Sequence, residues 1–167
     1  MTLSTGTTSG VLYIHSAPPA LCPHVEWAVA SALGVRASLS WTAQPVEPGV
    51  LRTESSWRGR PGTAGRIAAA LRGWTMLRYE VTEAASPGND AERYSVTPGL
   101  GVFRSATAAN GDVVLGEHQL RHLLATATGP QLAHRLDALL GSAWDQELEP
   151  YREAGEGAAV TWLHQVV

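Results

Sequence analysis

From Gly10 to Ser16 the chain alternates, with Leu12 and Ile14 to one side and Val11, Tyr13 and His15 to the other. A two-residue period predicts a strand with two unlike faces. "APPA" breaks it, and Pro23 suits the first turn of a helix, where its missing N–H is an orphan anyway. Val25, Ala28, Val29 and Ala32 then recur at helical spacing up to Leu33, and Gly34 supplies the stop. Residues 37–46 alternate again, Leu39 and Trp41 together. After a turn at Glu47–Gly49, residues 50–57 return as the second arm of a hairpin, which sets Trp41 opposite Trp57. Thr63–Arg72 carries Ala64, Ile67 and Leu71 on one helical stripe, with Trp74 just beyond. Met76–Glu83 opposes Leu77, Tyr79 and Val81 to Arg78 and Glu80.

The order βαββαβ over residues 10–84 predicts an α+β fold with a ferredoxin-like core, two helices covering one face of an antiparallel sheet. A loop at 85–90 introduces a second half, 91–167, expected to pack on the first as one domain. It reads as a short strand at Arg93–Val96 and a hairpin of Val102–Thr107 with Asp112–Leu115. A helix follows over Glu117–Ala127, with Leu120, Leu123, Leu124 and Ala127 inward. A second helix runs from Pro130 to near Pro150 on a stripe of Leu132, Leu136, Leu139, Leu140 and Ala143, then Trp144. A linker and a terminal strand over 158–167 end the chain. Met1–Ser9 is small and polar, and is expected to be a flexible tail.

In that arrangement the first and third strands are central. The face away from the helices then carries Tyr13, His15, Arg52, Glu54, Arg58, Arg78 and Glu80. Opposite charges on neighbouring strands pair, and clustered titratable groups point to a site. The plain alternative is a solvated sheet face, or one covered by the second half.

Composition narrows the classes. Hydrophobic residues are 44%, charged residues 16%, and the net charge is −3, every basic residue apart from histidine being Arg. No basic stripe is present, so nucleic acid is not an expected partner. An RNA-binding sheet would need exposed aromatics on its central strands, and only Tyr13 offers itself. A single cysteine, Cys22, forms no intramolecular disulfide, which fits a reducing compartment. Without a signal-like start or a membrane-length apolar run, the expectation is a cytoplasmic protein with no membrane contact.

Cys22 sits at a predicted helix N-terminus, where a thiolate is favoured, but no orienting group for a Cys–His pair is legible; a small buried residue is the simpler reading. His15, Cys22 and His24 are metal-ligand types, and His118 and His122 share a helix face, yet neither set has the spacing of a zinc site. No metal and no cofactor are expected. Trp27 lies off the main stripe of its helix beside His24. It reads as an interface anchor or, more simply, as packed beneath the loops. "DQELEPYRE", Asp145–Glu153, reads as a solvated acidic helix end.

The runs "GVLYIHSAP", "ALCPHVEWA", "TESSWRG" and "LRGWTMLRYEVTE" resemble an actinobacterial family of unknown function over nearly the whole chain. That resemblance brings no catalytic residue with it. Genes of the family often lie near fatty-acid-synthesis or pyruvate-dehydrogenase genes, which implies a tie to central or fatty-acid metabolism. The leading expectation is a non-enzymatic module, regulation included, binding a protein partner or small ligand through Tyr13, His15, Arg52, Arg78, His24 and Trp27. A homodimer is compatible with it. The alternative is an enzyme using His15 with Glu54 or Glu80 as an acid–base pair.

Overall fold

The structure, a computed structural model, describes residues 6–155 and 160–163. In chain order come β1 (Thr8–Ala17), α1 (Cys22–Leu33), β2 (Thr42–Ala43), β3 (Leu51–Gly59), α2 (Thr63–Leu71) and β4 (Arg78–Glu83). The second half adds β5 (Ala91–Thr97), β6 (Gly101–Thr107), β7 (Val113–Val114), α3 (Glu117–Thr126), α4 (Pro130–Leu140), α5 (Ser142–Ala154) and β8 (Val160–Leu163). The strands form one sheet in the order β2-β3-β1-β4-β5-β6-β7, all antiparallel, while β8 runs parallel to β3.

The α+β class is as expected. The strand order of the whole sheet differs from that of a four-stranded ferredoxin-like core, because the sheet does not stop at β4. A tight turn closed by Ser86 and Asn89, with Gly88 at φ 79°, sends the chain straight back. β5 then pairs with β4 from Tyr79↔Val96 to Glu83↔Glu92 and removes the edge that β4 would otherwise expose.

The helix-facing side of the sheet holds the core. Leu12, Ile14, Tyr79 and Val81 from the strands meet Val25 and Val29 of α1 and Ile67 and Leu71 of α2, all fully buried. Each such side chain contributes roughly 1.5–3 kcal/mol of burial. Polar groups in this layer are matched. Tyr79 Oη donates to Ala68 O at 2.9 Å, and burial pushes its phenol pKa well up. Glu83 reaches from β4 to the start of α2, accepting from Gly62 N at 2.7 Å and Ala64 N at 2.9 Å. It thus caps a helix whose own N-cap, a glycine, has no side chain to offer.

Four local expectations are corrected. Residues 37–46 form only the two-residue β2; Leu39 N and Trp41 Nε1 instead donate to Glu26 Oε1 at 3.1 and 2.9 Å, pinning an irregular segment to α1. Trp41 therefore does not face Trp57, since β2 meets β3 at Thr42↔Arg52. The helix expected from Pro130 to Pro150 is two helices, broken at Gly141 with φ 72°. A Cβ at Gly141 would collide with the Phe103 ring. α5 then runs through Pro150 to Ala154. On α3 only Leu123 of the predicted stripe is buried within the helix, with Ala127 just after it; Leu120 and Leu124 are exposed.

Strand β1 begins at Thr8, paired with Gly59, two residues before the expected boundary. The terminal strand is present over Val160–Leu163, its remaining predicted residues lying outside those described. The second face of the sheet is covered by α5, whose Leu148 is fully buried and whose Trp144 Nε1 donates to Gly101 O at 3.0 Å.

Candidate functional site

The central strand is kinked where the site begins. Against β4, Ile14 pairs with Tyr79 but Ser16 with Arg78; against β3, Ile14 pairs with Thr53 but Ala17 with Leu51. One extra residue on β1 is accommodated at His15 and Ser16. A bulge of this kind bends the strand and re-aims a side chain.

His15 is 3% exposed and its Nε2 donates to Glu80 Oε2 at 2.9 Å. Tyr13, two residues earlier on the same face, stacks on the imidazole with centroids 6.0 Å apart and planes 8° from parallel. The Glu80 carboxylate is fully engaged. Ser95 Oγ donates to Oε1 at 2.8 Å, and Arg152 clasps both oxygens, Nη2 to Oε1 at 2.6 Å and Nε to Oε2 at 2.8 Å. Burial opposes the charge, but the bonds from Arg152 and His15 outweigh it and hold the Glu80 carboxyl well below the usual carboxylate range. Arg152 is fixed in turn by Asp145 Oδ1 at 2.9 Å.

These groups form one wall of a pocket of about 450 Å³, with Tyr13, Arg52, Glu54, Thr82, Arg93, Gly111 and Gly155 completing it. Arg52 differs from its neighbours. It is 4% exposed, its Nε has no hydrogen-bond partner, and no carboxylate among the described residues lies within ion-pair distance of it. Gly155 makes room for its guanidinium, which a Cβ there would strike. Arg93 Nε likewise has no partner among the described residues. Its Nη1 reaches Gly111 O at 3.5 Å and its Nη2 stands 4.0 Å from Asp145.

Of the residues singled out from sequence, Tyr13, His15, Arg52, Glu54 and Glu80 come together in this pocket. His15 is paired with Glu80, not Glu54. Arg78 lies on the same face but outside the pocket, bonding Glu147 of α5 at 3.2 Å and Glu47 at 3.4 Å; it fastens α5 to the sheet. Arg58 is exposed. His24 is exposed on α1 near Trp74, ring centroids 6.1 Å apart, and Trp27 is 73% exposed. Trp27 is thus not packed beneath the loops. It sits about 100° round the helix from Ala28, just beyond the stripe that the sheet covers. Arg152 was not anticipated, nor was the acidic stretch around it expected to reach a pocket. The available signal was one cation amid Asp145, Glu147, Glu149 and Glu153.

Chemically, the pocket offers a held imidazole and cationic donors. Glu80 accepts four hydrogen bonds and stays charged, so it orients His15 and does not take a proton. Ser95 spends its proton on Glu80, and the Thr82 hydroxyl accepts from Val11 N at 3.0 Å. Cys22 lies elsewhere, its thiol directed to Pro18 O at 3.6 Å, with burial and then Glu26 raising its pKa. Among the described residues no group of three or more metal-ligating side chains converges, and no helix is long and apolar enough to cross a membrane.

No curated protein and no solved structure matches the chain. One family model does, described as a protein of unknown function (DUF3145), and it spans residues 11–165, from the strand that holds His15 past the helix that supplies Arg152. The chain belongs to that family.

Proposed function

We propose that this protein is a small-ligand-binding module, and that its site is the sheet-face pocket, where Arg52 receives a ligand group carrying a single negative charge. One observation carries the reading: a guanidinium 4% exposed, lining a cavity of about 450 Å³, with no partner for its Nε among the described residues. A buried charge without a partner is costly, and its cost falls when a ligand supplies the partner. The volume lies in the range of small-molecule sites. A single negative charge fits better than two, because Glu54 and Glu80 line the same pocket. Tyr13 and His15 would flank the ligand, and Arg93 would supply a second donor. Titrating the protein with acetate by nuclear magnetic resonance tests this. Shifts should centre on Arg52, Tyr13 and His15, and Arg52→Gln should weaken binding at least about tenfold. Absence of binding, or equal binding by the variant, contradicts it.

A second reading rests on the His15–Glu80 pair, 2.9 Å apart at the pocket wall. An imidazole oriented by a carboxylate is the arrangement of a general base. Here Glu80 would be a positioning residue. With the hydroxyls of Ser95 and Thr82 engaged, this reading is confined to proton transfer on a bound ligand. We also read residues 8–83 as a split βαβ unit of the ferredoxin-like kind, continued by the second half as one domain. The run β2-β3-β1-β4 and the unbroken pairing of β4 with β5 support this.

A further inference from the structure

The polar pocket does not end at Thr82. A second cavity of about 660 Å³ adjoins it, and Thr82, Arg93 and Gly111 line both. The sheet face changes character across that boundary. Tyr79↔Val96 and Glu83↔Glu92 set the register of β4 and β5, so Glu80 stands beside Ser95, Thr82 beside Arg93, and Ala84 level with Ala91. Each pair points to the same face, because residues two apart share one. Charge thus gives way to methyl groups along the trough. On β1 the sequence His15, Tyr13, Val11 makes the same passage, and Ala108 and Ala109 of the β6–β7 turn line the far end.

We propose that the ligand is a monocarboxylate with a short apolar tail, its head at Arg52 and its tail lying past Thr82 over Val11, Ala84 and Ala91. This rests on the pocket reading above and adds the class of molecule. A guanidinium whose Nε has no partner among the described residues at one end, and a run of small side chains at the other, fit an anion with an apolar tail better than a purely polar one. From Glu80 to Ala84 the strand covers about 13 Å, long enough for a tail of roughly six to eight carbons to lie along it.

The test is a nuclear magnetic resonance titration of the full chain with acetate, butanoate, hexanoate and octanoate, with hexan-1-ol as the uncharged control. Affinity should rise by about twofold or more per methylene up to octanoate. The side-chain methyl resonances of Val11, Ala84 and Ala91, which line the second cavity, should shift with hexanoate but not with acetate. Hexan-1-ol should bind at least about tenfold more weakly than hexanoate. Ala91→Trp, at a half-buried strand position, should abolish the chain-length dependence while leaving acetate binding in place. A flat series with acetate still bound through Arg52 would overturn the tail and spare the pocket. Failure of every carboxylate to bind, or indifference of all of them to Arg52→Gln, would overturn both.

Discussion

The two faces of the sheet are built from the same strands and differ in what they leave unfinished. On the face under α1 and α2, apolar residues from both layers close together. Its buried carboxylate, Glu83, is matched to two backbone N–H groups of α2. On the other face, α5 lies against the strands, held by Leu148, Arg78 and Arg152. There a carboxylate three residues away on β4, Glu80, is matched to side chains from three other elements, and Arg52 is matched to none among the described residues. A sheet sealed equally on both sides would be a better core and a poorer site. Alternation along β4 puts Glu83 on the stabilising face and Glu80 on the chemical one.

The largest expected effect comes from breaking the second face at its most connected residue. Glu80→Gln leaves Arg152 facing a neutral amide and should cost about 3–5 kcal/mol in chemical denaturation. A cost below about 1 kcal/mol would mean that α5 is held without this clasp. The first face should respond through cavities: Ile67→Ala should cost about 2–5 kcal/mol, as for other fully buried aliphatic side chains.

Acid sharpens the contrast. The folded Glu80 carboxyl binds its proton well below the unfolded one, whose ordinary value is 4.5. Over that interval the unfolded chain holds more protons, so stability is full above about pH 5 and is lost as pH falls further. Denaturation curves from pH 7 to 3 should show this loss in the native protein. The slope should be shallower in Glu80→Gln, and an equal slope would place the acid-sensitive group elsewhere.

The smallest effects belong to residues that look apolar in the sequence but lie outside both faces. Leu124 is 69% exposed on α3, so Leu124→Ala should change stability by no more than about 0.5 kcal/mol. Trp27→Ala should do the same, and a loss of about 3 kcal/mol or more would return Trp27 to the core.

Much of the site was legible because strand periodicity is a short-range rule. Placing Tyr13, His15, Arg52, Glu54 and Glu80 on one face needs only the parity of each strand and the pairing of β1 with β3 and β4. The rest depended on contacts that periodicity does not encode. Arg152 lies 72 residues from Glu80, on a helix whose charges read as solvated. The bulge at His15 leaves no mark in a sequence that simply alternates. Gly141 sits inside an apolar stripe that continues to Ala143 and Trp144, and its left-handed backbone with the Phe103 ring pressed against it breaks one helix into two. The predicted strand at 37–46 failed because Glu26 offers its carboxylate to Leu39 and Trp41, a tertiary contact that displaces the ladder. α3 shows the converse: its leucines have helical spacing, but the stripe has little to pack on.

The central claim is that Arg52 is held ready for an anionic ligand while Arg152 is already satisfied. The side-chain Nε–H resonances of the two arginines report this directly in a titration with hexanoate. Arg52 Nε–H should shift in a saturable manner as its missing hydrogen bond forms, and Arg152 Nε–H, bound to Glu80 throughout, should stay in place. An unmoved Arg52 resonance, or equal movement of both, would contradict the account.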